Sequence, residues 1–255
     1  MTIEMSFLLL LLVMARVGTF FVTMPILSMK QIPNIPKLAI IVSLSFMISQ
    51  WLPEIQIEAT NLLELGLLLA REAVLGIVLG WITNMMFLAI QSAGDWIDFF
   101  AGLKMSTSYD PISGASGSIY SNLYNWLGAL LFFIVNGHHY LIRGIVNSCF
   151  FLPIGESEWF SFKLESIVSV VTQSFILGIQ LALPICMILF LVDIVLGLIN
   201  RTVQQINVFI LGMPLKLLIS FVLMIIMFGA MSQSIIWALD AVVSMLDNAL
   251  RYMMV

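Results

Sequence analysis

From Gly94 to Gly117 the sequence reads GDWIDFFAGLKMSTSYDPISGASG, a polar and glycine-rich interruption with three long apolar segments on either side. That contrast constrains the fold more than any other feature. Of all residues 61% are hydrophobic and only 9% charged, with a mean hydropathy of +1.10, whereas in soluble domains about a quarter are charged. The chain is therefore an integral membrane protein. Lipid offers no partner to free N–H and C=O groups, so irregular backbone in such a protein stays where protein buries it or where it lines a water-filled cavity. The interruption is the first candidate for a functional site.

The apolar segments predict an all-α, polytopic fold of about six helical segments. Met5 to Met29 is long enough to cross ~30 Å of hydrocarbon at ~1.5 Å per residue, and it ends near Pro25. The hinge MKQIPNIPK carries Pro33 and Pro36, and proline lacks the amide donor that a continuing helix needs. Leu38 to Leu52 is 15 residues long, short of the roughly 20 of a straight crossing, so it is expected to lie partly inside other protein. Leu62 to Ala93 carries Glu64, Arg71, Glu72 and Asn84 within its apolar run. Ile119 to Phe151 is apolar without interruption only from Leu127 to Val135, too polar for lipid on all sides. Ile167 to Asn200 holds Pro184, where a kink is expected, and Asp193. The amphipathic linker RTVQQINVFILGMPLK ends in a predicted Gly-x-Pro turn before Leu215 to Leu239. The expectation is a single membrane domain over 1–255: N-terminal helices 1–93, a central loop 94–118 and C-terminal helices 119–255.

A net charge of −4 with ten Lys and Arg residues leaves no basic patch for nucleic acid or for a polybasic lipid strip. Cys149 and Cys186 give neither a metal spacing nor a disulfide framework. The start, MTIEMSFLLLLLVMARVG, is acidic and lacks a small-residue cleavage signal, so the first segment is expected to be retained. Alternating loops segregate Lys30, Lys37, Lys104, Arg201 and Lys216 from Glu54, Glu58, Glu156 and Glu158. The positive-inside bias then puts both termini outside the cytoplasm.

Several constellations bear on mechanism. Glu72, Gly76, Gly80 and Asn84 are four apart and form one stripe on the third segment, where small residues let another backbone approach. A proton relay through Glu64, Arg71, Glu72 and Asp193 is the sharper alternative, since intramembrane charges often mark ion paths. Structural pairing is favoured, because Arg16 and Arg71 supply basic partners. His138 and His139 are adjacent, so on a helix their side chains diverge by ~100° and do not share one metal; neither a metal nor a cofactor is expected. No G-x-S-x-G motif is present, which leaves an intramembrane protease as a remote third class. The methionines, Met85, Met86, Met105 and Met213 among them, serve as core filler or as a pliable seal. In the interruption, Asp110-Pro111 initiates a turn and Gly114 and Gly117 permit unusual backbone. At this length the loop stands equally as a solvated connection or as a plug.

The motifs NGHHYLIRGI, FLPIG and ALPICMILFLVDIVLGLINRTVQQINVFILGMPLK, with QSAGDWIDFFAGLKMSTSYDP before them, closely resemble the FliR family of flagellar export proteins and its virulence counterparts, SctT or SpaR. They cover most of Leu62 to Leu218 in the family's order and spacing, through the Gln205, Asn207, Pro214 and Lys216 positions. Gln204 departs from the pattern Arg-x-x-Pro-Gln-x-Asn-Val-Phe, so the bend after Arg201 loses its proline. The resemblance implies a non-enzymatic export-gate subunit. It would assemble with FliP-like and FliQ-like proteins in the bacterial inner membrane at the flagellar basal body, with an FlhB-like switch protein as a further partner, and pass unfolded flagellar proteins. It also implies that the loop matching Phe100 to Ser118 plugs the closed channel; if that loop closes the channel, Phe100, Met105, Tyr109 and Ile112 are expected to supply its apolar contact. GASGSIYSNLYNW and LGMPLK look more flagellar than injectisome-like. A proton-coupled secondary transporter is the runner-up of another class, although the inverted repeats usual in transporters are not evident.

Overall fold

The computed structural model describes residues 3–24, 33–52, 61–104, 118–155, 164–202 and 208–252, with the side chains of 3–6, 164–166, 208–211 and 240–252 left aside. Among the described residues all regular structure is helical: α1 Ile3–Thr23, α2 Asn34–Trp51, α3 Leu62–Phe100, α4 Ile119–Ile134, α5 Gly137–Phe151, α6 Leu164–Thr202 and α7 Val208–Tyr252. Among the described residues three helices have spans apolar and long enough to cross a membrane, in α3, α6 (Ile167–Thr202) and α7 (Gly212–Leu239). The pair α4 and α5 makes a fourth if counted as one broken span.

Among the described residues the six segments become seven helices because the fourth breaks at Asn136. This residue adopts the left-handed conformation (φ 58°, ψ 31°), which asparagine tolerates better than most side chains. Other boundaries shift too. Helix α2 begins at Asn34 and takes Pro36 into its first turn, where an amide has no intrahelical acceptor in any case. Helix α3 does not stop at Ala93 but runs through Gly94, Asp95 and Asp98 to Phe100. The predicted Gly-x-Pro turn lies inside α7 instead. Pro214 there forfeits one bond to the carbonyl four residues earlier.

The chain divides into two compact units: Met1–Met86 with Asn136–Val171 and Asp240–Val255, and Phe87–Val135 with Thr172–Leu239. In the first, α1 packs on α2 and buries Leu12, Val13, Val17 and Phe20, while Leu75 and Leu79 of α3 and Ile145 of α5 are equally enclosed. Thr19 and Thr23 of α1 satisfy their hydroxyls on carbonyls one turn back, at 2.8 Å from Ala15 O and Thr19 O. In the second, Phe87 of α3 meets Phe132 of α4 edge-on at 5.5 Å, and Leu181, Ile185 and Leu189 line the buried side of α6.

Glu72, Gly76 and Gly80 of the stripe on α3 lie against α1. A Cβ at Gly76 would overlap the Arg16 carbonyl oxygen and Thr19 Oγ1, and one at Gly80 would overlap Thr23 Oγ1. Backbone is far less compliant than a side chain, so Gly76→Ala should cost about 1–3 kcal/mol through overpacking, more than the ~0.5–1 kcal/mol that alanine gains over glycine in a helix. Gly66→Ala, with nothing within 4 Å of the added Cβ, should be neutral or slightly stabilising. Thermal unfolding of the detergent-solubilised chain separates the two, and equal midpoints would refute the close approach.

Candidate functional site

Two polar clusters are built into the apolar helices, one in each unit. In the first, Arg16 of α1 is fully enclosed and donates from Nε to Glu72 Oε2 of α3 at 2.6 Å. A buried ion pair of this kind is stable only if its remaining donors and acceptors are also met. Here Arg16 Nη1 donates to Ser148 O (2.9 Å) and Leu152 O (3.0 Å) at the end of α5, whereas the buried Nη2 meets no hydrogen-bond acceptor among the described residues. The amide of Gly155, in the turn beyond, donates to Glu72 Oε1 at 3.3 Å. The guanidinium thus neutralises a carboxylate and also caps a helix C-terminus, where carbonyls lack intrahelical partners and the dipole favours a cation.

The second cluster centres on Asp98, also fully buried. Its Oδ1 accepts from Tyr120 N at 3.1 Å and its Oδ2 from Ser121 N at 3.0 Å. These are first-turn amides of α4, whose own cap residue Ser118 makes no side-chain capping bond. A carboxylate from α3 therefore does the capping that the local sequence does not. Tyr120 Oη donates to Ser220 Oγ of α7 at 2.7 Å, and Ser220 Oγ donates to Leu217 O at 2.8 Å. Beside these, Lys216 of α7 is ion-paired with Asp193 of α6.

Of the residues singled out in the sequence, the structure thus joins Arg16 with Glu72 and Asp193 with Lys216, and sets Gly76 and Gly80 against α1. Asn84 and Arg71 are half-buried, Glu64 is exposed in the first turn of α3, and Gly197 and Arg201 are exposed on α6. Phe100 is half-buried and stacks edge-on with Phe99 at 5.6 Å; Pro214 is exposed within α7. Met105, Tyr109, Asp110, Pro111, Ile112, Gly114, Gly117, Gln205 and Asn207 lie outside the described residues. The His138 and His139 rings meet edge-on at 4.3 Å. Among the described residues no three His, Cys, Asp or Glu side chains gather as a metal site would require, and both cysteines are buried and free. Asp98 was not singled out from sequence. Its signal, an acid near the end of a long apolar helix, becomes meaningful only when the amides it accepts from are known.

Residues 7–241, which include both clusters, match the sequence profile of the bacterial export proteins, family 1. The chain belongs to this family. Its relatives in the bacterial export proteins include the flagellar biosynthetic protein FliR of Bacillus subtilis, 32% identical over 223 residues, 85% of this chain and 84% of that one. FliR of Escherichia coli is 32% identical over 209 residues, covering 82% and 80%. The secretion system apparatus protein SsaT of Salmonella typhimurium is 28% identical over 162 residues, covering 63% and 62%.

Removing one partner of a buried, hydrogen-bonded ion pair strands the other, at about 3–5 kcal/mol. Arg16→Ala and Glu72→Ala should each lower the thermal midpoint markedly, and the double variant should lose much less than the sum. Strict additivity would mean that the two residues do not act as a pair. Asp193→Asn should retain substantial export, since an amide oxygen still accepts from Lys216. Complete loss of export with normal assembly would instead assign Asp193 to a proton path.

Proposed function

We propose that this chain is a subunit of the flagellar type III export gate, the inner-membrane channel through which unfolded flagellar proteins pass. The observation that carries this is the similarity to flagellar FliR proteins over more than four fifths of the chain. The injectisome relative matches over a smaller share, 63%, which favours the flagellar reading. The gate is completed by FliP-like and FliQ-like subunits, with an FlhB-like switch protein. The largely exposed apolar surface of α6 and α7 supports a hetero-oligomer, with only 17% of the most apolar stretch of each buried, against 56% in α3. Both termini lie outside the cytoplasm, as the distribution of Lys and Arg among loops suggests. The chain is a structural component and not an enzyme.

The interruption before α4 is the plug. Its glycines and serines pack and release at little cost, while Phe100, Met105, Tyr109 and Ile112 supply the apolar seal. The pairing of Glu72 and Asp193 with basic partners supports a supporting role for these acids over a relay. Affinity purification from native membranes should bring down FliP-like and FliQ-like chains. Deleting Ser113–Ser118 should leave that assembly intact and raise sodium uptake into cells carrying the complete gate. Unchanged uptake in a correctly assembled deletion would refute the plug, and the absence of both companions would refute the gate.

A further inference from the structure

We infer that a water molecule is bound inside the Arg16 cluster, accepting a hydrogen bond from Arg16 Nη2 and donating to Glu72 Oε1 and Leu152 O. The side chains of Arg16 and Glu72 are 1% and 5% exposed, so neither bulk solvent nor a group of another subunit reaches the guanidinium. Among the described residues two of its three nitrogens are served, Nε by Glu72 Oε2 and Nη1 by the carbonyls of Ser148 and Leu152. The buried Nη2 is not. A charged donor without an acceptor is among the costliest groups to enclose, so the site must supply one.

The usual acceptor is turned elsewhere. Arginine grips a carboxylate through two parallel N–H bonds when both oxygens are free, but Glu72 gives it Oε2 alone and directs Oε1 to the amide of Gly155 at 3.3 Å. Ser148 O is fully used, since it accepts Leu152 N at 2.9 Å as well as Nη1. Capacity remains on Glu72 Oε1, held by that one long bond, and on Leu152 O, which accepts one bond at 3.0 Å. Both flank Nη2, because the guanidinium is flat and its other two nitrogens hold Glu72 and Leu152. With these three polar atoms around it, a water molecule makes about three hydrogen bonds, the number typical of buried water. Water also fits the charge. One cation already faces one carboxylate, and an added anion would bring an uncompensated charge into an enclosed site. The bridge lets one carboxylate serve two elements: Oε2 stays with α1, and Oε1 stays on the turn after α5 instead of being drawn into the fork.

The test is an experimental structure of the chain in its native membrane assembly, at a resolution that shows ordered water. A single peak within hydrogen-bond distance, roughly 2.5–3.2 Å, of Nη2, Glu72 Oε1 and Leu152 O is the expected result. Nη2 bonded directly to Glu72 Oε1 with Gly155 N released, Nη2 bonded to another group of the chain, or no peak at all would each overturn the inference. The double variant Arg16→Met, Glu72→Leu replaces the pair with apolar side chains of similar length and should lose the peak. A peak that persists there would belong to the α5 carbonyls alone and would overturn the assignment to Arg16. Should the double variant fail to assemble, the parental structure decides by itself.

Discussion

The ends of buried helices govern this structure. The first four amides and the last four carbonyls of a helix have no partner within it, and in a chain this apolar water is not at hand to serve them. Helix α3 answers the problem twice with acids pointed at other helices: Glu72 receives Gly155 N beyond α5 as well as Arg16, and Asp98 receives the first amides of α4. In both cases a side chain far away in sequence completes hydrogen bonding that the local sequence leaves open. Each acid is therefore more than a tolerated charge. It is the reason that a helix terminus can be buried where it is.

The glycines work with the same economy of space. Gly76 and Gly80 allow α1 to lie on α3 closely enough for Arg16 to reach Glu72, and Gly94 allows α4 to lie closely enough for its amides to reach Asp98. Small residue and acid thus form a unit, one turn apart on the same helix in each case. Against these enclosed junctions stand α6 and α7, apolar yet mostly uncovered. Such surface is stable only under lipid or another subunit.

What the sequence revealed follows from which interactions are local. Composition and run length were enough for an all-α membrane fold, and the spacing of Glu72, Gly76 and Gly80 was enough for a packing face, because a helix converts spacing into geometry without outside information. Boundaries were harder. Gly94 and Asp98 read as loop residues because their helical state depends on α4, and Gly212 with Pro214 read as a turn because proline near a helix start is easily taken for a break. Asn136 was legible as polar but not as a break in the fourth segment, since a left-handed backbone has no periodic signature in the sequence. Asp98 was invisible for the same reason as its partners: 22 and 23 residues separate it from the amides that it holds.

The reach of Arg16 also has a meaning in time. Its partner on α3 is 56 residues further along the chain, and the carbonyls that it caps are 132 and 136 residues away. With ribosomes adding ~5–20 residues per second, the guanidinium exists for on the order of ten seconds before Ser148 has even been made. Until Glu72 follows, 56 residues after it, Arg16 is an unmatched cation in an otherwise apolar helix. Helix α1 therefore reaches its settled environment only after α3 and α5 have been made, and a nascent chain truncated before α5 holds a charge for which the full shelter has not yet been provided.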